Sequence, residues 1–597
     1  MAEQSSNQPE ASETPTDRGD MAAVAARSQR IIADFMSRQQ GGAGMADPSK
    51  IGDAFQEMMR QMMADPGKMM AAQVNLWQDH MALWQSTTQR MMGGQSEPVI
   101  EPAKDDRRFK DAEWDDNFLF DYIKQSYLLT ARWMQTTVSD VDGLDDKTAK
   151  KVEFYTRQFA DSMAPSNFAM TNPEVLRETI DSRGENLVRG LNNLLDDMDN
   201  SDGQLRIKMT DPDAFTLGEN IAITPGQVVY QNDLIQLLQY APATEKTHSR
   251  PLLIVPPWIN KYYILDLQPK NSFIQWAVEQ GYTVFVISWA NPDTALAAKT
   301  FDDYLLDGPM AALDAIELAT GEPEITAVGY CLGGTLLACT LGYMAAKGDT
   351  RIKAATYFAS MIDFSEPGDL GVFVDEDQLE ALEERMSEKG YLEGSDMANT
   401  FNMLRANDLI WAFVVNNYLL GKEPFPFDLL YWNSDSTRMP AAMHSFYLRK
   451  MYIENKLIEP GGLTLAGQAI DISKIEMPSY ILSTRDDHIA PWTSTYAATQ
   501  LYGGTVRFVL AASGHIAGVI NHPDAKKYAH WKNPKCPATS EAWLDGATEE
   551  AGSWWQDWDK WNAKKSGKKV PARTPGDGKL KALEPAPGAY AKTPAEE

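Results

Sequence analysis

The spacing of apolar residues changes near residue 216 and divides the chain into two parts. Before that point apolar residues recur every three or four positions, which predicts helices. After it they form short, nearly continuous runs separated by segments with helical spacing, and this alternation predicts a mainly parallel sheet with helices on both faces. The runs that we interpret as strands are residues 252–255, 284–287, 325–328, 354–358, 480–483 and 506–510.

The first helical stretch, residues 51–92, is rich in methionine and is broken into two helices at Asp65-Pro66-Gly67. Apolar residues lie along one face at helical spacing, namely Val74, Trp77, Met81, Trp84 and Met91. We expect this face to pack on the rest of the protein. The alternative is that the adaptable methionine side chains dock on a partner helix or on a lipid-like surface.

The same patterns predict the domain organisation. Residues 1–104 comprise a polar start, whose first 19 residues we expect to be disordered, then the methionine-rich helices and a linker. Residues 105–212 form an N-terminal helical domain, whose role we expect to be contact rather than catalysis. Residues 213–571 form the catalytic domain, and residues 572–597 form a C-terminal tail. An insertion at about residues 364–440 interrupts the strand alternation at the carboxyl end of the predicted sheet, where a cap over an active site belongs.

Composition and charge exclude several functions. The formal net charge of -28 and the pI near 4.7 oppose binding to nucleic acid, whose phosphates require clustered Lys and Arg. Three cysteines in 597 residues cannot form a disulfide framework, and their spacing matches no metal site, so we expect no metal and a reducing compartment. We find neither a secretory signal nor an uncharged apolar run of about 18 residues, so we expect a cytoplasmic protein without a transmembrane helix.

Residues 324–334 are typical of a strand that turns sharply into a helix, with Cys331 at the turn. Gly329 and Gly333 flank the cysteine in the pattern G-x-C-x-G, which is the nucleophile elbow of α/β-hydrolases with cysteine where serine is usual. Glycine is required because the strand and helix backbones nearly touch there. Taken alone, the pattern fits equally well a glycine-punctuated loop around a buried structural cysteine.

A base and an acid follow two later strands, in the order that an α/β-hydrolase requires. His515 comes after residues 506–510 and a Ser-Gly turn, and because the chain has only seven histidines we assign it as the base. Residues 480–483 lead into two adjacent aspartates, of which only one can face His515; we choose Asp487, and Asp486 is the alternative. His488 is a further candidate, which could equally support the acid as a hydrogen-bond donor.

Acyl transfer also requires donors for the oxyanion of a tetrahedral intermediate. We assign one to the backbone amide of Leu332, the residue after the nucleophile, and one to the amide of Ile259, in the loop after residues 252–255. Asn260 is the alternative to Ile259. The fold that these residues predict is an α/β-hydrolase fold with a mainly parallel sheet, a cap insertion and a helical N-terminal domain.

Five stretches resemble the polyhydroxyalkanoate synthases, and the similarity extends from about Arg107 into the C-terminal tail. They are PPWINKYYILDL (256–267), GYCLGG (329–334), YWNSD (431–435), DHIAPW (487–492) and SGHIAGVIN (513–521). The Ile264-Leu265 form and the single long chain resemble class I of that family. The resemblance implies Cys331 as nucleophile, Asp487 rather than Asp486 as acid, and His515 as base.

The resemblance also implies a substrate and partners. The substrate would be an (R)-3-hydroxyacyl-coenzyme A of the short 3-hydroxybutyryl type, and the product a growing polyester chain. Coenzyme A would be released as a product, so we expect no cofactor. A homodimer formed partly through the cap is implied, at the surface of polyester granules in the cytoplasm, and the methionine-rich N-terminus could contact granule-associated proteins.

Sulfur suits this chemistry because a thiolate that attacks a thioester forms another thioester, so the acyl group stays activated for transfer. Water must be kept out of such a site, and we expect Trp432 and Phe427 of the cap to exclude it. For the anionic coenzyme A we nominate Arg405 as a phosphate contact, and an ordinary ion pair with Asp408 is the alternative. Competing functions are a cysteine-dependent thioesterase or depolymerase of the same fold, and a noncatalytic granule-binding protein.

Overall fold

Within residues 48–199 and 205–594, which the computed structural model describes, an eleven-stranded sheet is the largest element. The predicted disorder of residues 1–19 lies outside the described residues. The described strands are β1 (Gly226–Gln231), β2 (Ile235–Tyr240), β3 (Lys246–His248), β4 (Leu252–Val255), β5 (Val284–Trp289), β6 (Ile325–Tyr330), β7 (Ile352–Phe358), β8 (Tyr391–Leu392), β9 (Met439–Pro440), β10 (Leu463–Leu465), β11 (Gln468–Ile470), β12 (Ser479–Thr484), β13 (Val506–Ala511), β14 (Ala529–Lys532), β15 (Thr548–Ala551), β16 (Lys569–Pro571) and β17 (Glu584–Pro585).

The strand order in the large sheet is β15-β14-β13-β12-β7-β6-β4-β5-β2-β1-β17. The six strands from β13 to β5 are parallel to one another, and they are the six that the apolar runs predict. The edges are antiparallel: β2, β1 and β17 extend one side, and β14 and β15 the other. The mainly parallel sheet is therefore confirmed, while the antiparallel edges were not predicted.

Both faces of the central strands are buried, which explains why they are continuously apolar. On β4, Leu253 and Val255 belong to the apolar core on one face, while Leu252 and Ile254 belong to the core on the other. The edge strand β15, in contrast, is exposed along its whole length and has the sequence Thr-Glu-Glu-Ala. Such a polar strand gives no apolar run from which it could be predicted.

Helices cover both faces of the sheet and form the N-terminal region. They are α1 (Pro48–Ala64), α2 (Pro66–Met91), α3 (Glu113–Asp116), α4 (Phe118–Ser139), α5 (Asp146–Ser162), α6 (Pro173–Asp181), α7 (Glu185–Asp199), α8 (Phe273–Glu279), α9 (Phe301–Leu305), α10 (Ala311–Thr320), α11 (Leu332–Lys347), α12 (Glu376–Lys389), α13 (Gly394–Leu404), α14 (Asp428–Ser434), α15 (Ala441–Tyr447), α16 (Trp492–Tyr496), α17 (Ala498–Leu501), α18 (Ser540–Asp545), α19 (Trp555–Asn562) and α20 (Gly588–Lys592). None of the helices in the described ranges is long and apolar enough to span a membrane.

The methionine-rich helices α1 and α2 meet at the predicted break, where the Asp65 side chain caps α2. The apolar face of α2, however, does not pack on the rest of the protein as we expected. Trp77 is 63% exposed and Trp84 is 57% exposed, and Val74 and Met91 are exposed beside them. The helix packs on α4 through another face, on which Leu83 is fully buried. Periodicity correctly showed an apolar face, but it does not show what covers that face.

The cap is larger than predicted, because the chain between β7 and β12 does not return to the sheet until Ser479. The N-terminal helical domain packs directly on this cap. Helix α7 lies against a π-helical segment of the cap, Val414–Leu419, so closely that a Cβ atom on Gly190 would lie 1.9 Å from the Tyr418 carbonyl oxygen. An ion pair between Lys151 and Asp375, at 2.5 Å, joins the same two regions.

The C-terminal segment is not a separate tail, contrary to the predicted boundary at residue 572. Strand β17 pairs with β1 at the edge of the large sheet, and α20 lies against β2 and β5. The buried Lys261 amine donates to the Tyr590 and Ala591 carbonyls, at 3.3 and 3.2 Å, and also to the Thr593 carbonyl. The C-terminus is therefore built into the catalytic domain.

Candidate active site

Cys331 occupies the sharp turn between β6 and α11, as the glycine pattern predicts. Its backbone has φ 51° and ψ -122°, a left-handed conformation that is strained for a residue with a side chain. A Cβ atom on Gly333 would lie 2.0 Å from the Val255 backbone oxygen, and one on Gly329 would lie 2.4 Å from the Cα atom of Gly334. The glycines therefore allow the close approach of helix and strands, and the turn presents Cys331 to a cavity.

The predicted acid and base meet beside this turn, because β12 and β13 are parallel to β6 and end at the same edge of the sheet. His515 Nδ1 lies 2.7 Å from Asp487 Oδ2. The other oxygen, Oδ1, accepts hydrogen bonds from the backbone amides of Ile489 (3.0 Å) and Ala490 (2.9 Å). Thr484 also donates its hydroxyl to Oδ2, at 2.9 Å. Four donors thus fix the orientation of the Asp487 carboxylate.

The electrostatics of this pair favour the charged forms. Burial alone would lower the pKa of His515, but the adjacent Asp487 carboxylate and the Cys331 sulfur together raise that pKa well above its ordinary value of 6.5. Burial alone would raise the pKa of Asp487, but the imidazole and the hydrogen-bond donors lower it. The geometry therefore suits an imidazole that takes a proton from sulfur and holds it as an imidazolium.

Tyr330, which precedes the nucleophile, is a contact that the sequence did not reveal. Its ring stacks on the His515 ring, with 5.7 Å between centroids, and its hydroxyl donates to the His515 carbonyl at 3.1 Å. His515 is thus held on two sides. Asp486, by comparison, is exposed, and its backbone amide donates to the Ser513 carbonyl, so the choice of Asp487 agrees with the geometry.

The two assigned oxyanion donors, Leu332 and Ile259, both line the cavity at Cys331. The loop that carries Ile259 is held by the cap: Thr437 donates its amide to the Ile259 carbonyl (3.0 Å) and its hydroxyl to the Trp258 carbonyl (2.5 Å). Thr437 thus fixes the peptide groups on both sides of Ile259. Asn260, the alternative, forms a β-bridge with Ser436 of the cap instead.

The cavity at Cys331 measures about 50 Å³, which is room for about four water-sized groups. Its walls are mostly apolar. The cap supplies Leu370, Phe373, Val374, Met397, Phe401 and Met439. Such a lining is unfavourable for water and leaves few polar groups to orient a ligand.

Trp432 and Phe427 are not part of this lining, so the prediction that they cover the nucleophile is wrong. Trp432 is buried elsewhere, where its indole N–H donates to the Lys261 carbonyl at 2.7 Å. Phe427 stacks on Phe425 at the surface, with 5.8 Å between the ring centroids. Both lie on the cap as predicted, but the path of the cap places other side chains over Cys331.

Arg405 and His488 also lie outside the lining. Arg405 forms an exposed ion pair with Asp408, which is the alternative that we gave for it. His488 is not among the donors to the Asp487 carboxylate, so the supporting role that we considered belongs to Thr484. Burial lowers the pKa of His488, and the nearby Asp369 and Asp487 carboxylates only partly offset that effect.

His444, on α15 of the cap, lines the cavity and was missed by the sequence analysis. It is 3% exposed, and within the described part of the chain neither ring nitrogen has a hydrogen-bond partner. A buried polar atom without a partner costs about 1–3 kcal/mol. Tyr447 and Tyr452 lie beside it in the wall, 5.7 Å apart between ring centroids. Only its place in the folded cap distinguishes His444 from an ordinary core histidine.

Fold and elbow together define a member of the α/β-hydrolase fold class, with cysteine at the nucleophile position. The family model for the alpha/beta hydrolase fold matches residues 250–521. A second model, described as "Poly-beta-hydroxybutyrate polymerase (PhaC) N-terminus", matches residues 105–277. The predicted fold class is confirmed, and the second match extends the similarity into the N-terminal helical domain.

The chain belongs to the poly(3-hydroxyalkanoate) polymerase family. It is 51% identical over 555 residues to a poly(3-hydroxyalkanoate) polymerase of Methylorubrum extorquens, with 92% of each chain covered. The polymerase subunit of Rhizobium meliloti is 48% identical, over 96% of this chain and 94% of that protein. That of Cupriavidus necator is 42% identical, over 94% of each. The resemblance found in the sequence is thereby confirmed, and the protein is an enzyme of the transferase class.

Proposed function

We propose that the protein polymerises (R)-3-hydroxyacyl-coenzyme A, of the 3-hydroxybutyryl type, into a polyester with release of coenzyme A. The observation that carries this proposal is the 2.7 Å contact between His515 and Asp487 beside a cysteine at a strained elbow. The relatives named above are poly(3-hydroxyalkanoate) polymerases, which supports the substrate class. Coenzyme A is a product in this scheme, and no cofactor takes part.

In the first step, His515 takes the proton of Cys331, and the thiolate attacks the thioester carbonyl of the substrate. The amides of Leu332 and Ile259 stabilise the oxyanion that develops on the carbonyl oxygen. The intermediate collapses, the bond to the sulfur of coenzyme A breaks, and the imidazolium returns its proton to that sulfur. An acyl-cysteine and free coenzyme A are formed.

In the second step, His515, oriented by Asp487, takes the proton of the 3-hydroxyl of another substrate molecule. The hydroxyl oxygen attacks the acyl-cysteine, an ester bond forms, and Cys331 is released as the thiol. The lengthened chain remains attached to coenzyme A and can acylate Cys331 again. Because water would compete with the hydroxyl in this step, the apolar cap lining favours transfer over hydrolysis.

The nature of the nucleophile supports transfer as well. Exchange of one thioester for another is close to thermoneutral, so the acyl group on Cys331 keeps its activation. On a serine the acyl group would be an ordinary ester, and the driving force for transfer to the next hydroxyl would be largely lost. We therefore expect Cys331→Ser to impair polymerisation more strongly than it impairs hydrolysis.

The proposal is tested by supplying 3-hydroxybutyryl-coenzyme A and measuring free thiol and insoluble polymer together. We expect both to form in parallel, and we expect Cys331→Ala to abolish both. Cys339→Ala is the matched control, because Cys339 lies two turns along the same helix and is fully buried. Thiol release with only free hydroxyacid would establish the competing thioesterase or depolymerase activity. Full activity of Cys331→Ala would refute the mechanism.

The homodimer that the resemblance implies is proposed to form partly through the cap. Phe425, which stacks on Phe427, is 71% exposed on the cap surface, and a second copy of the chain would bury it. Phe425→Asp should then lower the molar mass seen by sedimentation from that of a dimer to that of a monomer. An unchanged mass, with wild-type thermal stability, would place the dimer interface elsewhere.

We further propose that the protein works in the cytoplasm at the surface of polyester granules, with the exposed apolar face of α2 contacting granule-associated proteins. Trp77 and Trp84 present that face to solvent, which supports a contact surface. Deletion of residues 1–94 should reduce attachment to isolated granules while activity in solution is retained. Loss of activity together with attachment would assign the segment to the fold or to the dimer.

A further inference from the structure

The wall of the active-site cavity contains a histidine that the proposed mechanism does not use. His444 lies on α15, lines the same cavity as Cys331, and is 3% exposed. Neither Nδ1 nor Nε2 has a hydrogen-bond partner among the residues that the structure describes. Buried imidazoles in folded proteins nearly always have a partner for their polar atoms. The ring of His444 can therefore be partnered by a ligand that enters the cavity.

The protonation state of His444 indicates what that ligand can be. Burial lowers the pKa of His444 to about 4, so the ring is neutral at neutral pH. A neutral imidazole has one nitrogen that donates and one that accepts a hydrogen bond. A hydroxyl group also donates and accepts, so the two groups are complementary, whereas a carboxylate or an ester oxygen could use only the donor.

Other polar groups in the wall are less suited to this role. Thr335 already donates its hydroxyl to the Met361 carbonyl at 2.7 Å. The Trp258 indole N–H lies in the wall without a partner in the described residues, but it can only donate. The amides of Leu332 and Ile259 are assigned to the thioester oxygen. The remaining lining from the cap is apolar apart from Tyr447 and Tyr452, whose hydroxyls are already hydrogen-bonded to each other.

We propose that His444 binds the 3-hydroxyl group of the acyl group as that group is transferred to Cys331. This inference rests on the proposed function, because it concerns the hydroxyacyl substrate of the same site. The short acyl group has one polar group besides its carbonyl, namely the 3-hydroxyl. The cavity of about 50 Å³ has room for little more than this short acyl group. A site built to hold a hydroxyl rejects the analogue that lacks it, since the polar group of the site then stays unpartnered. His444 thus acts as a specificity residue and a positioning residue.

The test compares two substrates on each protein variant. The first turnover is followed as coenzyme A thiol released per active site, with 3-hydroxybutyryl-coenzyme A and with butyryl-coenzyme A, which lacks the 3-hydroxyl. For the wild type we expect acylation by the hydroxylated substrate to be faster by about tenfold. In His444→Phe we expect this preference to disappear. In His444→Gln, whose amide can both donate and accept, we expect part of it to remain.

The ratio of the two rates is measured within one preparation, so it does not depend on the fraction of protein that folds. His530→Phe is the matched control: His530 is buried, and its Nε2 also lacks a hydrogen-bond partner in the described chain, with Glu550 Oε2 3.7 Å away, but it lies on β14 and does not line the cavity. We expect His530→Phe to keep the wild-type ratio. A merely structural role of His444 would slow both substrates equally and leave the ratio unchanged, which would overturn the proposal.

Two further outcomes are informative. Loss of the preference in Trp258→Phe, with the preference retained in His444→Phe, would move the hydroxyl site to the indole and overturn the role of His444. If the wild type forms polymer while the ratio survives in His444→Phe, only this inference fails. If the wild type releases no thiol from 3-hydroxybutyryl-coenzyme A, the proposed function itself fails.

Discussion

Replacement of Asp487 by asparagine tests how the acid controls the proton on His515. Oδ1 of Asp487 accepts from the amides of Ile489 and Ala490, at 3.0 and 2.9 Å, and these backbone groups cannot accept a hydrogen bond in return. In Asp487→Asn the amide oxygen must therefore occupy the Oδ1 position. The amide NH₂ then takes the Oδ2 position and faces His515 Nδ1, which at present lies 2.7 Å from a carboxylate oxygen.

This arrangement favours the wrong tautomer of His515. With an NH₂ group opposite, Nδ1 becomes an acceptor and the proton moves to Nε2, which can then no longer take a proton from Cys331 or from the substrate hydroxyl. The competent tautomer would lose a charge-assisted hydrogen bond and leave a buried donor unpartnered, at a combined cost of about 3–5 kcal/mol. That cost corresponds to a fall in kcat of roughly 10² to 10⁴-fold.

The assay is the steady-state release of coenzyme A thiol from 3-hydroxybutyryl-coenzyme A, with thermal unfolding measured on the same samples. Because both backbone hydrogen bonds to residue 487 are kept, we expect the variant to fold. Asp486→Asn is the matched control and should keep wild-type activity, since Asp486 is exposed and the carboxylate at His515 is that of Asp487. Retention of more than a tenth of the activity in Asp487→Asn, or an equal loss in Asp486→Asn, would refute the assignment.

Three further perturbations have calculable outcomes. Gly333→Ala would place a Cβ atom 2.0 Å from a backbone oxygen of β4, so we expect the free energy of unfolding to fall by about 3 kcal/mol or more. Gly52→Ala is the control and should cost no stability, because a Cβ atom there would meet open space. Burial raises the pKa of Asp266 to about 7, so the folded state keeps a proton that the unfolded state loses near pH 4, and the free energy of unfolding of the wild type should fall as the pH rises from 4 to 7. Asp266→Asn should lack that pH dependence, so urea unfolding should show it gaining up to about 4 kcal/mol relative to wild type over the same range. Lys261→Met removes the cation from the carbonyls at the end of α20 and from the Asp435 carboxylate, which lies 3.7 Å from the amine. We expect the free energy of unfolding to fall by about 3–5 kcal/mol, and we expect the double variant with Asp435→Asn to recover part of that loss.

The central sheet and the grouping of Cys331, Asp487 and His515 were predictable because each depends on a pattern that is local in sequence. Each central strand is buried on both faces, so it is a continuous apolar run. The elbow requires glycines at fixed offsets from Cys331, and the fold fixes the order in which the acid and the base follow. Parallel strands then bring Asp487 and His515 to one edge of the sheet, although 28 residues separate them in the chain.

The cap could not be predicted in the same way, because its side chains are selected by tertiary packing rather than by a local pattern. Trp432 and Phe427 are large aromatics in the predicted cap, yet one supports a loop and the other lies at the surface. His444 is a single histidine on an apolar helix, and only the folded cavity shows that its ring has no hydrogen-bond partner in the described parts of the chain. The apolar face of α2 is a related case, because periodicity shows that the face is apolar but not whether another part of the chain covers it.

The loop that carries Ile259, the proposed oxyanion donor, is fixed by segments that are distant in sequence, and this limits how the cap can move. Thr437 holds the Trp258 and Ile259 carbonyls, while Lys261, three residues from Trp258, joins the loop to the C-terminal helix α20. Of the cap residues that line the cavity, those from Leu370 to Phe401 precede this anchor in the chain, whereas Met439, His444, Tyr447 and Tyr452 follow it. An opening that keeps both Thr437 hydrogen bonds can therefore displace the wall residues between Leu370 and Phe401 more freely than Met439, which lies two residues from the anchor. Movement of the whole insertion would break the Thr437 hydrogen bonds and release the loop that carries Ile259.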